Sequence, residues 1–207
     1  MKYWIFDLDG TLVDSFGFYF NVVEKIMNKT MSTEERKHCV SLHASDLFKH
    51  HLGEEKAKEA LLELRKINVQ DSWDTQKFSA VEELLAYLKS KDCHISIFTS
   101  RDLNSAKYTV EITGLKKYID HLISGDCVSV KKPSPEGLHK LQQLYNCKAD
   151  EMVMIGDHEC DMEAGTTAGA FSVRASWHPH WEHDACSLAH KQFHSDQNFL
   201  AWVKETV

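Results

Sequence analysis

The sequence predicts an α/β fold, a parallel sheet interrupted by a block of helices, and three observations carry that prediction. Tyr3-Trp4-Ile5-Phe6 is an apolar run of mostly strand-favouring residues that leads straight into two carboxylates, Asp7 and Asp9. A second run, Met152-Val153-Met154-Ile155, likewise ends in acids, Asp157 and Asp161. Between Ser15 and Phe78 the pattern is helical, with no strand signal. Continuous apolar runs suit strands covered on both faces, as in parallel sheets. Such sheets bind ligands outside the carboxyl ends of their strands, so these acids stand where the chemistry of the class sits.

Length and composition narrow the options. A chain of 207 residues buries one good core and carries a modest insertion. Hydrophobic content of 43%, charged content of 27% and three prolines describe an ordinary globular protein. A formal charge of -7 argues against a nucleic-acid partner, which calls for a basic face. No apolar run approaches the roughly 20 residues needed to span a membrane, and no charged-then-apolar leader precedes Tyr3. The expectation is a cytoplasmic protein, monomeric or a weak homodimer, whose six cysteines, without a CxxC pair, are reduced thiols.

Taken in order, Phe16, Tyr19, Phe20, Val23 and Met27 form the apolar stripe of a first helix. Ser32-Thr33-Glu34-Glu35 reads as a capping box opening a second. Ala44, Leu47, Phe48 and His51 suggest a third, and Ala57, Ala60, Leu61, Leu64 and Ile67 share one face of a fourth. His38, His43, His50 and His51 read as solvated helix-face residues. Ser79-Ala80-Val81-Glu82 reads as a further capping box, ahead of Leu84, Leu85 and Leu88.

Cys93–Phe98 then forms a strand ending in Thr99-Ser100-Arg101, where hydroxyls and backbone N–H groups either hold phosphate oxygens or simply cap the next helix. That helix runs through Ala106, Val110 and Thr113 to Gly114, and Ile119–Ile123 is a short strand. In Lys131-Lys132-Pro133-Ser134-Pro135, Pro133 biases Lys132 to an extended conformation. Ser134 and Pro135 open a helix that buries Leu138, Leu141 and Leu144. A lysine there reaches back to a phosphate and a carboxylate, or belongs to a solvated loop pair. Asp157 and Asp161, four apart, share one face if a helix begins at Asp157; there they bind a cation beside Asp7 or complement the helix dipole.

Ala170–Val173 is a further strand. His178, His180, His183, Cys186, His190 and His194 follow it, a surface histidine-rich segment or a zinc site with His190 and His194 at helical spacing. Phe199, Leu200, Trp202 and Val203 close the chain in a docking helix.

An ionised aspartate at a strand exit can attack phosphorus, and a second carboxylate two residues on can move protons as general acid and base. A dianionic substrate would repel both groups, so the pair calls for a cation, and Mg²⁺ suits carboxylates plus phosphate oxygens. By itself the stretch also reads as an ordinary Asp-Gly turn. A calcium EF-hand is excluded, because Gly10 follows Asp7 too soon.

Asp-Leu-Asp-Gly-Thr-Leu-Val-Asp-Ser resembles the first motif of the haloacid dehalogenase-like hydrolase superfamily, phosphatase branch. Thr99-Ser100, Lys132-Pro133-Ser134-Pro135 and Gly156-Asp157-His158-Glu159-Cys160-Asp161 resemble its second, third and fourth motifs, in the family's order. Asp9 argues against dehalogenation, since dehalogenating members lack that second aspartate. The resemblance, nearest to the phosphoglycolate phosphatase-like branch, implies a three-layer αβα Rossmann-like core over residues 1–15 and 79–207, with an inserted α-helical cap over 16–78. It implies Asp7 as nucleophile, Asp9 as acid and base, and Thr99, Ser100 and Lys132 on the substrate phosphate, with Arg101 as a helper only. Asp7, the backbone carbonyl of Asp9, Asp157 and Asp161 would hold Mg²⁺, Asp161 directly or through water. The implied substrate is a small phosphorylated metabolite. A phosphosugar mutase uses the same motifs, and a non-catalytic phosphometabolite-binding protein is the alternative from another class.

Overall fold

In the computed structural model, which describes residues 1–41, 44–67, 75–178 and 185–207, the first apolar run forms β1 (Tyr3–Phe6). Trp4, Ile5 and Phe6 are wholly buried. β1 pairs in parallel with β4 (His94–Phe98) on one side and β6 (Met152–Gly156) on the other. β5 (His121–Ile123) lies outside β4, while β7 (Phe171–Ala175) and then β8 (Lys191–Phe193) lie outside β6. The sheet order is β5-β4-β1-β6-β7-β8, with every pair parallel. The chain builds outward from β1 through β4 to β5, then returns to build the other half from β6. Strand order therefore reverses between β1 and β6, the place where open α/β sheets bind ligands.

Side-chain alternation along the strands makes two cores. Trp4 and Phe6 face one, with Ile97 and Ile155, under α5 (Val81–Ser90), α6 (Leu103–Ile112) and α9 (Asp196–Thr206). Ile5 and Met154 face the other, under α7 (Glu136–Tyr145) and α8 (Glu159–Ala168). A sheet with helices on both faces is the three-layer α/β architecture of the sequence reading.

The chain divides into two compact units, Met1–Asp14 with Gln76–Val207, and Ser15–Thr75. The second contains α1 (Phe16–Met27), α2 (Thr33–Ser41), α3 (Ala44–Leu52) and α4 (Glu54–Ile67). Phe20, Val23, Leu47, Phe48, Ala57, Ala60 and Leu64 are buried. The capping box at Ser32 is formed: Ser32 N–H donates to Glu35, and Glu35 N–H donates back to Ser32 Oγ at 3.2 Å. His43 and the side chains of His38 and Ile67 lie outside the described residues. Among the described residues no helix is long and apolar enough to cross a membrane.

Several local readings need correction. Two short strands, β2 (Val13–Asp14) and β3 (Gln76–Lys77), pair antiparallel, and β3 falls within the Ser15–Phe78 stretch where no strand was expected. Two residues are too few to show a period. Ser79 does not cap α5, whose N-cap is Ala80 with no side-chain cap; Asp196 instead ties down the turn before it, its carboxylate accepting from Ala80 N–H at 2.7 Å and from the Ser79 hydroxyl at 2.9 Å. α7 starts one residue past Pro135, and Leu144 is 58% exposed, with Tyr145 packed in its place. β8 occupies the C-terminal end of the histidine-rich segment, between His190 and His194.

Candidate active site

The first turn after β1 is held by its backbone. Asp7 N–H continues the ladder to Ile155 O at 2.7 Å, which fixes Asp7 at the sheet edge beside β6. Gly10, at φ 74°, turns the chain so that its N–H reaches Val13 O at 2.8 Å. This left-handed conformation suits glycine. On the far side of the reversal point, β6 ends in Gly156 and delivers Asp157. The sequence reading put Asp157 and Asp161 on one helical face if a helix begins at Asp157; the helix begins later, so only Asp161 is helical. α8 begins at Glu159, with His158 as N-cap accepting Cys160 N–H on Nδ1 at 3.2 Å. Asp161 Oδ2 accepts His158 N–H at 3.1 Å, closing the capping box. A Cβ on Gly156 would meet the Asp161 carboxylate at 2.3–2.4 Å, so only glycine lets the carboxylate lie against the strand end.

Carboxylate oxygens of Asp7, Asp157 and Asp161 all lie within 4.8 Å of one another, in buried surroundings. Lys132 enters this cluster from the loop before α7. Its ammonium donates to Asp7 Oδ1 at 2.6 Å, Asp161 Oδ1 at 2.5 Å and Phe98 O at 3.1 Å, which uses all three of its N–H donors. The Lys132, Asp7 and Asp161 side chains are 3%, 9% and 1% exposed. Burial pushes the Asp7 carboxyl above the ordinary carboxylate range. Lys132 opposes that rise, and the charges of Asp161 and Asp9 add to it. Burial would lower Lys132, but Asp161 and Asp7 outweigh it and hold the ammonium above the ordinary lysine value. Cys160 is pushed up by burial and then by Asp161, so it supplies no thiolate here.

Asp9 stands apart from this cluster. Its Oδ2 accepts Arg101 Nε–H at 2.8 Å. The Arg101 Nη1 group donates to Ser105 Oγ at 3.2 Å and Thr109 Oγ1 at 2.6 Å on α6. Thr99 is buried at the exit of β4, its N–H bonded to Ile123 O at 3.0 Å and its Oγ1 accepting Arg101 N–H at 3.2 Å. The helix that follows is capped by Asp102, whose side chain accepts from Ser105 N–H, and not by Thr99 or Ser100. Ser100 is half-buried, and its carbonyl accepts Lys131 Nζ at 3.2 Å. Reading the sequence alone left Arg101 as a helper and passed over Ser105 and Thr109. Their signal was two hydroxyls four apart on the same helix as Ala106 and Val110.

The zinc reading of the C-terminal segment loses its helical spacing, because β8 separates His190 from His194. His190 Nδ1 accepts Ser172 N–H at 3.0 Å and its ring stacks on Phe171 at 4.8 Å. His178 is buried, 3.2 Å from Asp14 Oδ1. His180 and His183 lie outside the described residues. Among the described residues, Asp7, Asp157 and Asp161 are the one group placed to hold a metal. Three buried carboxylates against one ammonium leave surplus negative charge among hard oxygen donors, which fits a divalent cation such as Mg²⁺.

The family model for haloacid dehalogenase-like hydrolases matches residues 4–175, a span from β1 to the end of β7 that contains every residue of this cluster. The chain belongs to that family. Pyrophosphatase PpaX of Bacillus cereus (strain B4264) is 28% identical over 181 residues, covering 84% of this chain and 82% of that protein. A candidate phosphoglycolate phosphatase from Lactobacillus plantarum superposes with a TM-score of 0.84 at 18% identity, over 97% of this chain and 98% of that one. A candidate β-phosphoglucomutase from Thermotoga maritima superposes with a TM-score of 0.75 at 21% identity over 100% of both chains. At these identities the two structures speak for the hydrolase-family fold alone.

Proposed function

We propose that this haloacid dehalogenase-like hydrolase is a Mg²⁺-dependent phosphatase acting on a small phosphorylated metabolite through an aspartyl-phosphate intermediate. The observation that carries the reading is the threefold hold of Lys132 on Asp7, Asp161 and Phe98 O at the point where strand order reverses. It fixes one oxygen of Asp7 and leaves the other to attack phosphorus in line. Asp9, two residues on, protonates the departing oxygen and then takes a proton from the water that hydrolyses the aspartyl phosphate. Lys132 and the Thr99-Ser100 turn take up charge on the transferring group, the main demand of phosphoryl transfer.

Asp7, Asp157 and the backbone carbonyl of Asp9 would hold Mg²⁺ directly. Asp161, with one oxygen on Lys132 and the other on His158 N–H, would act through water. When bound, the ion neutralises substrate charge and orients the phosphoryl oxygens. We take the six thiols, none in a disulfide, to belong to a reducing cytoplasmic setting. The substrate reading starts from the relatives: pyrophosphate, which the Bacillus enzyme's name gives, and phosphoglycolate lead the panel to be tried.

Phosphate release from that panel, with and without Mg²⁺, tests the proposal. Release should need the ion and fall by roughly 10⁶-fold in Asp7→Asn, the scale of losing a nucleophile. Turnover that survives in Asp7→Asn would overturn it, and isomerisation of a phosphosugar without net phosphate release would indicate a mutase.

A further inference from the structure

Arg101 spends most of its hydrogen-bonding capacity inside the protein. Its Nη1 group serves the hydroxyls of Ser105 and Thr109, which are 1% and 0% exposed. Being four apart, these two hydroxyls lie on one side of α6, the helix whose Ala106 and Val110 belong to the apolar core. Buried hydroxyls at such positions are costly unless satisfied, and the guanidinium satisfies both. The backbone of Arg101 is fixed as well: its N–H donates to Thr99 Oγ1 at 3.2 Å and its carbonyl accepts Gly125 N–H at 2.7 Å. The remaining edge of the guanidinium faces Asp9, with Nε–H on Oδ2 at 2.8 Å.

This arrangement does not suit a phosphate ligand. Arginine grips a phosphate with two parallel donors along one edge, and here the Nε half of that edge is taken by Asp9 while Nη1 is taken by α6. An arginine so held acts on Asp9.

We infer that Arg101, anchored by Ser105 and Thr109, is a positioning residue that sets the orientation of the Asp9 carboxyl for proton transfer to the leaving group. This rests on the phosphatase reading above. As the bond from Asp7 oxygen to phosphorus forms and the ester P–O bond breaks, the ester's electron pair goes to the leaving oxygen. That oxygen takes its proton from the Asp9 carboxyl, which Arg101 holds through Oδ2. In the second half, water adds its oxygen to phosphorus, passes its proton to Asp9, and Asp7 departs as a carboxylate. Arg101 acts through Asp9, whose carboxyl it orients.

The test separates positioning from general damage by leaving group. kcat/KM reports events up to departure of the first product. p-Nitrophenolate leaves without a proton, whereas an alkoxide needs one. In Arg101→Met, kcat/KM for propyl phosphate should fall by about 10²-fold or more, the scale of general-acid catalysis, while that for p-nitrophenyl phosphate falls several-fold less. Thr109→Val, which removes one anchor and is close in shape, should shift the ratio in the same direction by a smaller factor; it carries the test if Arg101→Met fails to fold by circular dichroism. Equal losses on both substrates, or a raised KM with kcat unchanged, would overturn the inference and leave the phosphatase reading standing. Absence of turnover by the unaltered enzyme on every substrate would sink that reading, and this inference with it.

Discussion

The acid-bearing strand exits and the histidine-bearing C-terminal stretch make opposite use of the same sheet. Asp7 and Asp157 come from distant parts of the sequence, yet they leave adjacent parallel strands, which lie about 4.8 Å apart. Neighbouring exits cannot avoid each other, so the residues placed there converge. His190 and His194 are close in sequence but bracket β8. One of them is taken by the Ser172 backbone, and His178, at the near end of the stretch, by Asp14. A parallel sheet assembles a site from strand ends; nearness along the chain does not.

The comparison can be broken most forcefully at Lys132. Lys132→Met would leave Asp7 and Asp161 buried and facing each other without their shared cation. Stability should drop by about 3–5 kcal/mol, the cost of breaking a buried pair, with turnover lost as well. Denaturant unfolding would measure it, and a loss under about 1 kcal/mol would show that the cluster is not held as described.

Gly156→Ala comes next. Its added Cβ would lie 2.3–2.4 Å from the Asp161 carboxylate, an overpacking of about 1–3 kcal/mol. Thermal unfolding together with a weakened response to Mg²⁺ would reveal it; wild-type values for both would mean that the carboxylate has room to move.

The electrostatics sharpen the contrast further. Burial raises the Asp7 carboxyl in the folded protein, so the folded state keeps a proton that the unfolded chain gives up above about pH 4. Without divalent cation this contribution to stability is fully present below that value and is lost as pH rises through the folded value. Mg²⁺ binds the ionised form, so its stabilising effect should grow with pH. Thermal melts from roughly pH 5 to pH 8 with and without Mg²⁺ test this; an effect of the ion that does not grow with pH would contradict it.

The smallest effect is expected at the other region. His190→Ala removes the acceptor for Ser172 N–H and the stacking on Phe171, which should cost on the order of 1 kcal/mol. Magnesium-dependent turnover should be unchanged. Loss of turnover, or of a bound zinc ion, would place chemistry where the structure has only packing.

What was legible in the sequence divides along the same line. β1 and β6 announced themselves because a strand covered on both faces is apolar throughout, and the acids after each run marked the exits. Lys132, Thr99 and Ser100 could be named only through the motif resemblance, since nothing in Lys131-Lys132 by itself prefers one lysine for Asp7. The longer-range partners were hidden. Asp196 ties down the turn ahead of α5 across 116 residues, and Arg101 meets Asp9 across 92. Neither pairing has a local pattern, because propensity and periodicity describe neighbours along the chain. β8 and the ribbon of β2 with β3 were too short to carry a period.

The most direct measurement of the central claim is chemical trapping of the intermediate at Asp7. The enzyme would be quenched with borohydride during turnover of its best substrate with Mg²⁺. That reagent reduces an acyl phosphate to an alcohol, and peptide mass spectrometry would locate the product. The account predicts homoserine at position 7, formed only with substrate and the ion, and absent from Asp7→Asn. Steady turnover with position 7 unmodified, or with the modification at Asp9, Asp157 or Asp161 instead, would contradict it.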